Sequence, residues 1–142
     1  MILNFGIEKI IAERHEIKEA NKKGLEAKNN LKIEKVEEVA LEPLTKEKIL
    51  KITFTYSIQY TPKIATIELT GNVLYMADEK RRKEIIEGWK KEKKLDTNLA
   101  QIVINYALNR CNIRALTLGQ ELNVPPHIPF PRITTKTEEK KK

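Results

Sequence analysis

Apolar and polar residues alternate without a break from Leu50 to Tyr60. Leu50, Ile52, Phe54, Tyr56, Ile58 and Tyr60 take one side, and Lys51, Thr53, Thr55, Ser57 and Gln59 take the other. Successive strand side chains point to opposite faces, so a period of two predicts a strand with one buried and one solvated face. Thr61-Pro62-Lys63 reads as a short turn. The pattern then repeats, with Ala65, Ile67, Leu69, Gly71, Val73 and Tyr75 on one face and Thr66, Glu68, Thr70 and Asn72 on the other. These two segments predict an antiparallel hairpin, with Gly71 marking a bulge or a close packing point. Upstream the period is less clean. Leu3-Asn4-Phe5-Gly6-Ile7 alternates and continues through Ile10-Ile11 to Ile17. A long bent strand and a helix both fit it; the strand is favoured, with Gly6 and the paired isoleucines marking a bend or bulge. Asn21 to Asn30 reads as a turn-rich connection. Leu31 and Ile33 alternate, then Val36, Val39 and Leu41 follow with a slip near Lys35 that predicts another bulge. Pro43 ends that element.

The period changes after Tyr75. Asp78 can cap a helix running from Glu79 to about Lys94, whose narrow apolar stripe is Ile85, Ile86 and Trp89. Asp96 or Thr97 can cap a second. There Leu99, Ile102, Val103, Tyr106 and Arg110 fall at helical spacing, broadened by Ala107, Leu108 and Cys111, which predicts a mostly buried helix. Asn112 to Leu122 extends it, straight or kinked, to an end near Asn123. Four prolines then crowd Val124-Pro125-Pro126-His127-Ile128-Pro129-Phe130-Pro131. Proline fixes φ and removes donors, so this piece is extended, and its apolar residues predict that it lies against the domain or a partner. The reading is one α+β domain over residues 1–133, with a disordered charged tail over 134–142.

Length and composition agree with a single domain. The chain has 142 residues, 40% hydrophobic and 33% charged, enough for a core without disulfides or metal. Its Lys/Glu-rich, Gln-poor balance is that of heat-adapted proteins, and a thermophilic source is expected. One cysteine, Cys111, excludes an internal disulfide framework and a cysteine-rich zinc site; in a helical pattern it reads as a small buried apolar residue. No apolar run reaches the about 18 residues of a membrane-spanning helix. The first residues carry no basic n-region or cleavage site, so a cytoplasmic location is expected.

No catalytic, metal or cofactor residues emerge. His15 and His127 lie in different elements and read as ordinary surface or packing residues. No phosphate loop, HExxH or CxxC is present, Ser57 lacks a nucleophile-elbow context, and Asp78 and Asp96 suit helix caps. No enzyme activity and no cofactor are expected. The net charge of +7 raises the case for a polyanion partner. Lys80-Arg81-Arg82-Lys83 with Lys90, Lys91, Lys93 and Lys94 form a row that phosphates favour. Glu79, Glu84, Glu87 and Glu92 interleave it, however, which is the pattern of a solvated helix face. Tyr56, Tyr60 and Tyr75 share the apolar face and read as core or interface.

The order of elements, four strands, a helix pair and an apolar Pro-rich segment, resembles the SecB-type export chaperone fold over about residues 1–133. The stretches carrying the resemblance are Ile49–Tyr60, Lys63–Tyr75, Thr97–Asn112 and Leu122–Pro131. It implies a four-stranded antiparallel sheet with both helices on one face, oligomer formation, and binding of unfolded polypeptide along apolar grooves. One departure stands out. SecB chaperones are acidic, which serves docking to their motor partner, whereas this chain is basic and ends in lysines. That argues against motor docking and a role in export. No motif aligns binding residues one by one, so none is assigned.

Two functions from different classes follow. The first is a non-enzymatic, chaperone-like protein that binds unfolded or extended polypeptide through apolar surface as a homo-oligomer. The alternative is a basic nucleic-acid-associated protein using the helix 79–94. The pattern leaves open whether helices and the Pro segment cover the whole apolar face of the sheet or leave a groove.

Overall fold

A computed structural model of the chain describes residues 1–15, 26–40, 47–61 and 64–127. Four strands come first, β1 (Ile2–Arg14), β2 (Glu26–Ala40), β3 (Lys48–Thr61) and β4 (Ala65–Tyr75). Two helices follow, α1 (Glu79–Glu92) and α2 (Thr97–Glu121). The strands form one antiparallel sheet in the order β1-β4-β3-β2. The hairpin β3–β4 is its centre, as the alternation predicts. Leu50, Ile52, Phe54, Tyr56, Ile58, Ile67, Leu69 and Val73 are fully buried on the face that meets the helices. Each such side chain contributes roughly 1.5–3 kcal/mol of transfer free energy. The opposite face carries Thr53, Thr55, Ser57, Thr66 and Thr70, all partly exposed.

Both edge strands contain the bulges that their patterns imply. In β1 the pairing steps from Ile7↔Gly71 to Lys9↔Thr70, so Glu8 is the extra residue. Before it Phe5 and Ile7 face the helices; after it Ile10 and Ala12 do. The extra residue brings Ile10 onto the face of Phe5 and Ile7, opposite Leu69, and leaves Ile11 on the other face, opposite Glu68. Glu8 itself points to the open face, where it accepts from Asn72 (2.8 Å) and lies 3.4 Å from Lys51 Nζ. In β2 the step falls between Ile33 and Lys35, and Val36 replaces the odd-numbered residues on the buried face. A bulge twists an edge and blunts its pairing with other chains.

Gly71 is a close packing point. A Cβ there would collide with the Gly6 carbonyl oxygen, 3.2 Å from Ile7 Cα and 3.0 Å from Phe54 Cζ. Gly71 pairs with Ile7 on one side and Phe54 on the other. Its missing side chain leaves the Phe54 ring room to reach Phe5, against which it stacks at 5.5 Å and 21°.

Both caps form. Asp78 accepts from the Arg81 N–H (2.8 Å), and Asp96 from the Leu99 N–H (3.0 Å). The Leu99 bond, helped by Arg81, holds the Asp96 carboxyl below the usual range. α1 closes on Lys93, which adopts φ 57° and donates to the Trp89 carbonyl. α2 closes on Asn123, also at φ 57°; Asn123 N–H donates to Gln120 and Val124 N–H to Gly119. This pair of bonds satisfies the last carbonyls and turns the chain back over the sheet. Arg14, at the end of β1, donates to the carbonyls of Leu122 and Asn123 at 2.7 and 2.8 Å. α1 lies against β2, and α2 against β4 and β1.

Two expectations need correction. Glu26 to Asn30 belongs to β2, not to a turn-rich connection, because each residue pairs with β3; ladder pairing outweighs the turn preference of Asn29 and Asn30. And α2 is not mostly buried. Its buried residues are Leu99, Val103, Ala107, Cys111, Ala115, Leu118 and Gly119. With 3.6 residues to a turn, a row spaced by four slants across the helix, so α2 meets the sheet along one oblique line of small residues. Ile102 and Arg110, placed on the buried stripe by their spacing, are exposed. Ile17, Pro43, the turn Pro62-Lys63, Ile128–Pro131 and the tail 134–142 lie outside the described residues.

Candidate functional site

The small-residue seam leaves one flank of α2 standing clear of the sheet. Tyr106, Arg110, Ile113, Arg114 and Thr117 lie along that flank, each three or four residues from another of the set. Below them runs β1, an edge strand paired with β4 alone among the described residues. Between the two elements lies a cleft of about 430 Å³, lined by Phe5 and Ile7 from β1 and by Arg110, Ile113, Arg114 and Thr117 from α2. Its floor is aromatic and aliphatic. Ile113 is 67% exposed and Ile102, three turns back along the helix, 51%. The Arg110 guanidinium carbon lies 5.5 Å from the Phe5 ring centre and 5.7 Å from that of Tyr106. A second cleft, of about 350 Å³, is lined by Leu116, Thr117, Gln120, Val124 and Pro126. The two meet at Thr117.

The chain beyond α2 forms the far boundary of this surface. Val124 is buried, and Tyr60 donates to the Pro125 carbonyl at 2.6 Å. His127 reaches a half-buried polar knot, in which Tyr56 donates to Asn112 Oδ1 at 2.6 Å and His127 Nε2 lies 2.9 Å from the same oxygen. The oxygen only accepts, so Nε2 carries the hydrogen. Burial lowers the His127 pKa and pushes the Tyr56 hydroxyl up to about 12. His127 is thus a packing residue, as its isolation in sequence suggests. So is His15, half-buried with its ring nitrogen 3.3 Å from Thr66 Oγ1. Cys111 is fully buried, and burial pushes its thiol up to about 12, far from the nucleophilic range.

The basic helix carries much of its charge in pairs. Arg81 bonds Asp96 and lies 3.7 Å from Glu84; Arg82 bonds Glu38 of β2 at 2.9 Å; Lys83 lies 3.3 Å from Glu79. Among the described residues no three metal-binding side chains cluster, and no helix is long and apolar enough to cross a membrane.

The groove joins residues a hundred positions apart, and no local pattern links Phe5 and Ile7 to Arg110 and Ile113. One signal was present. Ile113 falls outside the row Leu99, Val103, Ala107, Cys111, Ala115, so an apolar residue was left without a place on the buried side.

A four-stranded antiparallel sheet with both helices on one face is the architecture of the SecB-type chaperones, and the chain has that fold. It is similar to the SecB-like chaperone Rv1957 of Mycobacterium tuberculosis, solved in complex with a ChAD peptide from the antitoxin HigA1 (Rv1956). The TM-score is 0.50 at 17% identity, covering 94% of this chain and 90% of that one. The likeness is one of fold. No family model matches the chain, and no curated protein matches its sequence.

Proposed function

We propose that this chain is a non-enzymatic, cytoplasmic, chaperone-like protein that holds unfolded or extended polypeptide on apolar surface, working as a homo-oligomer. The groove between β1 and α2 carries the reading. It sets Phe5 and Ile7 of β1 and Ile113 of α2 beside a strand that is paired on one side only among the described residues. An extended segment needs both: main-chain hydrogen bonds from the edge and pockets for every second side chain. The peptide-bound state of the mycobacterial protein supports the same role. Ile102, 51% exposed on α2 and outside the groove lining, offers an apolar contact that a second copy would cover. The net charge of +7 sets the chain apart from acidic export chaperones, so the role does not extend to an export motor.

The test is light scattering after size exclusion, with and without a permanently unfolded client. An oligomer that co-elutes with the client in high salt is expected. A monomer that ignores the client overturns the reading. Co-elution that disappears between about 50 and 200 mM salt would show that charge contacts and not apolar surface hold the client, and would overturn the reading too.

A further inference from the structure

Resting on that reading, we propose that the groove selects its clients by charge, taking apolar extended segments flanked by carboxylates over those flanked by basic residues. Arg110 and Arg114 form one wall of the groove, and no carboxylate pairs with either among the described residues. They sit one turn apart on the same face, about 6 Å along the helix axis. An extended chain returns to the same face every second residue, about 6.6 Å on. Carboxylates at alternate positions of a client lying along α2 therefore match both guanidinium groups. Arg110 is held at the groove wall by the Phe5 and Tyr106 rings, 5.5 and 5.7 Å from its guanidinium carbon, and a guanidinium fork can give a carboxylate two donors. The chain's overall positive charge adds long-range attraction for acidic segments.

A single-stranded nucleic acid would bring anions to the same arginines. It would also need exposed ring faces on which bases stack. Here the Phe5 ring is already engaged by Phe54 and Arg110, and the rest of the floor is aliphatic. The observations favour polypeptide.

The experiment uses the full chain and three dye-labelled peptides with one extended apolar core, flanked by Glu-x-Glu, Gln-x-Gln or Lys-x-Lys. Fluorescence anisotropy should rank them in that order, with the Glu peptide about tenfold tighter than the Lys peptide at low salt and the gap narrowing as salt rises. Arg114→Gln, which leaves the Phe5 stacking alone, should reduce the gap, and Arg110→Gln with Arg114→Gln should abolish it while the Gln peptide still binds. Equal binding of all three, or a preference that survives both substitutions, overturns the charge selection and leaves the polypeptide reading standing. Failure of all three to bind overturns that reading too. Displacement of the Glu peptide by an equimolar single-stranded RNA overturns the selection in favour of phosphate.

Discussion

Replacing Gly71 by alanine places a methyl group at the centre of the sheet, where three neighbours already stand. The Gly6 carbonyl oxygen would overlap it outright, and Phe54 Cζ and Ile7 Cα would lie at 3.0 and 3.2 Å. Two of the three are backbone atoms of the adjacent strand, which cannot rotate away. Relief must come from shifting β1 against β4 or from tilting Phe54 off Phe5. Overpacking of this kind costs about 1–3 kcal/mol, and a backbone collision puts the expectation at the upper end. For a chain of this size each kcal/mol lowers the melting temperature by about 2–4 °C. The assay is urea unfolding followed by circular dichroism, repeated at two protein concentrations because self-association would add to apparent stability. The midpoint should fall with the slope unchanged. A second readout is local: Phe5 lines the groove and rests on Phe54, so client binding should weaken in Gly71→Ala even under conditions where the variant is fully folded. A variant within about 0.5 kcal/mol of the parent would refute the packing argument. Loss of stability with normal client binding would refute the link between this contact and the groove.

Other outcomes follow from single contacts. Burial lowers the His127 pKa, so the unfolded chain takes up its proton first as pH falls through about 6.5; the parent should lose stability there relative to His127→Gln, and parallel pH profiles would contradict this. Lys93 closes α1 at φ 57°, a conformation that glycine adopts without strain, so Lys93→Gly should raise stability by about 0.5–1 kcal/mol in the same urea assay. Cys111, fully buried with its thiol pushed up to about 12, should resist a disulfide-exchange reagent in the folded protein at neutral pH and react on unfolding.

Much of this fold was legible because its signals are local. The unbroken alternation of β3 and β4, the bulges betrayed by Ile10-Ile11 and by the slip near Lys35, and the caps at Asp78 and Asp96 each depend on a few neighbouring residues. Errors arose where distant pairing decides. Glu26–Asn30 looked like a turn until β3 lay beside it. Of the stripe predicted for α2, Leu99, Val103, Ala107 and Cys111 are buried, whereas Ile102 and Arg110 lie off the buried line, which continues through Ala115 at every fourth position. The groove was illegible for the same reason. It exists because β1, first in the chain, becomes the edge next to β4 and lies under α2, an arrangement that no window of sequence contains. Charge in the sequence points first to α1, whose cations outnumber those of α2 and are partly neutralised by Glu38, Glu79, Glu84 and Asp96.

The most direct test of the polypeptide-binding groove is amide hydrogen exchange with and without a bound unfolded client in high salt. Protection should appear along β1, residues 2–14, and along the half of α2 that carries Arg110 to Thr117. No change in either segment, or protection confined to residues 79–92 of α1, would contradict it.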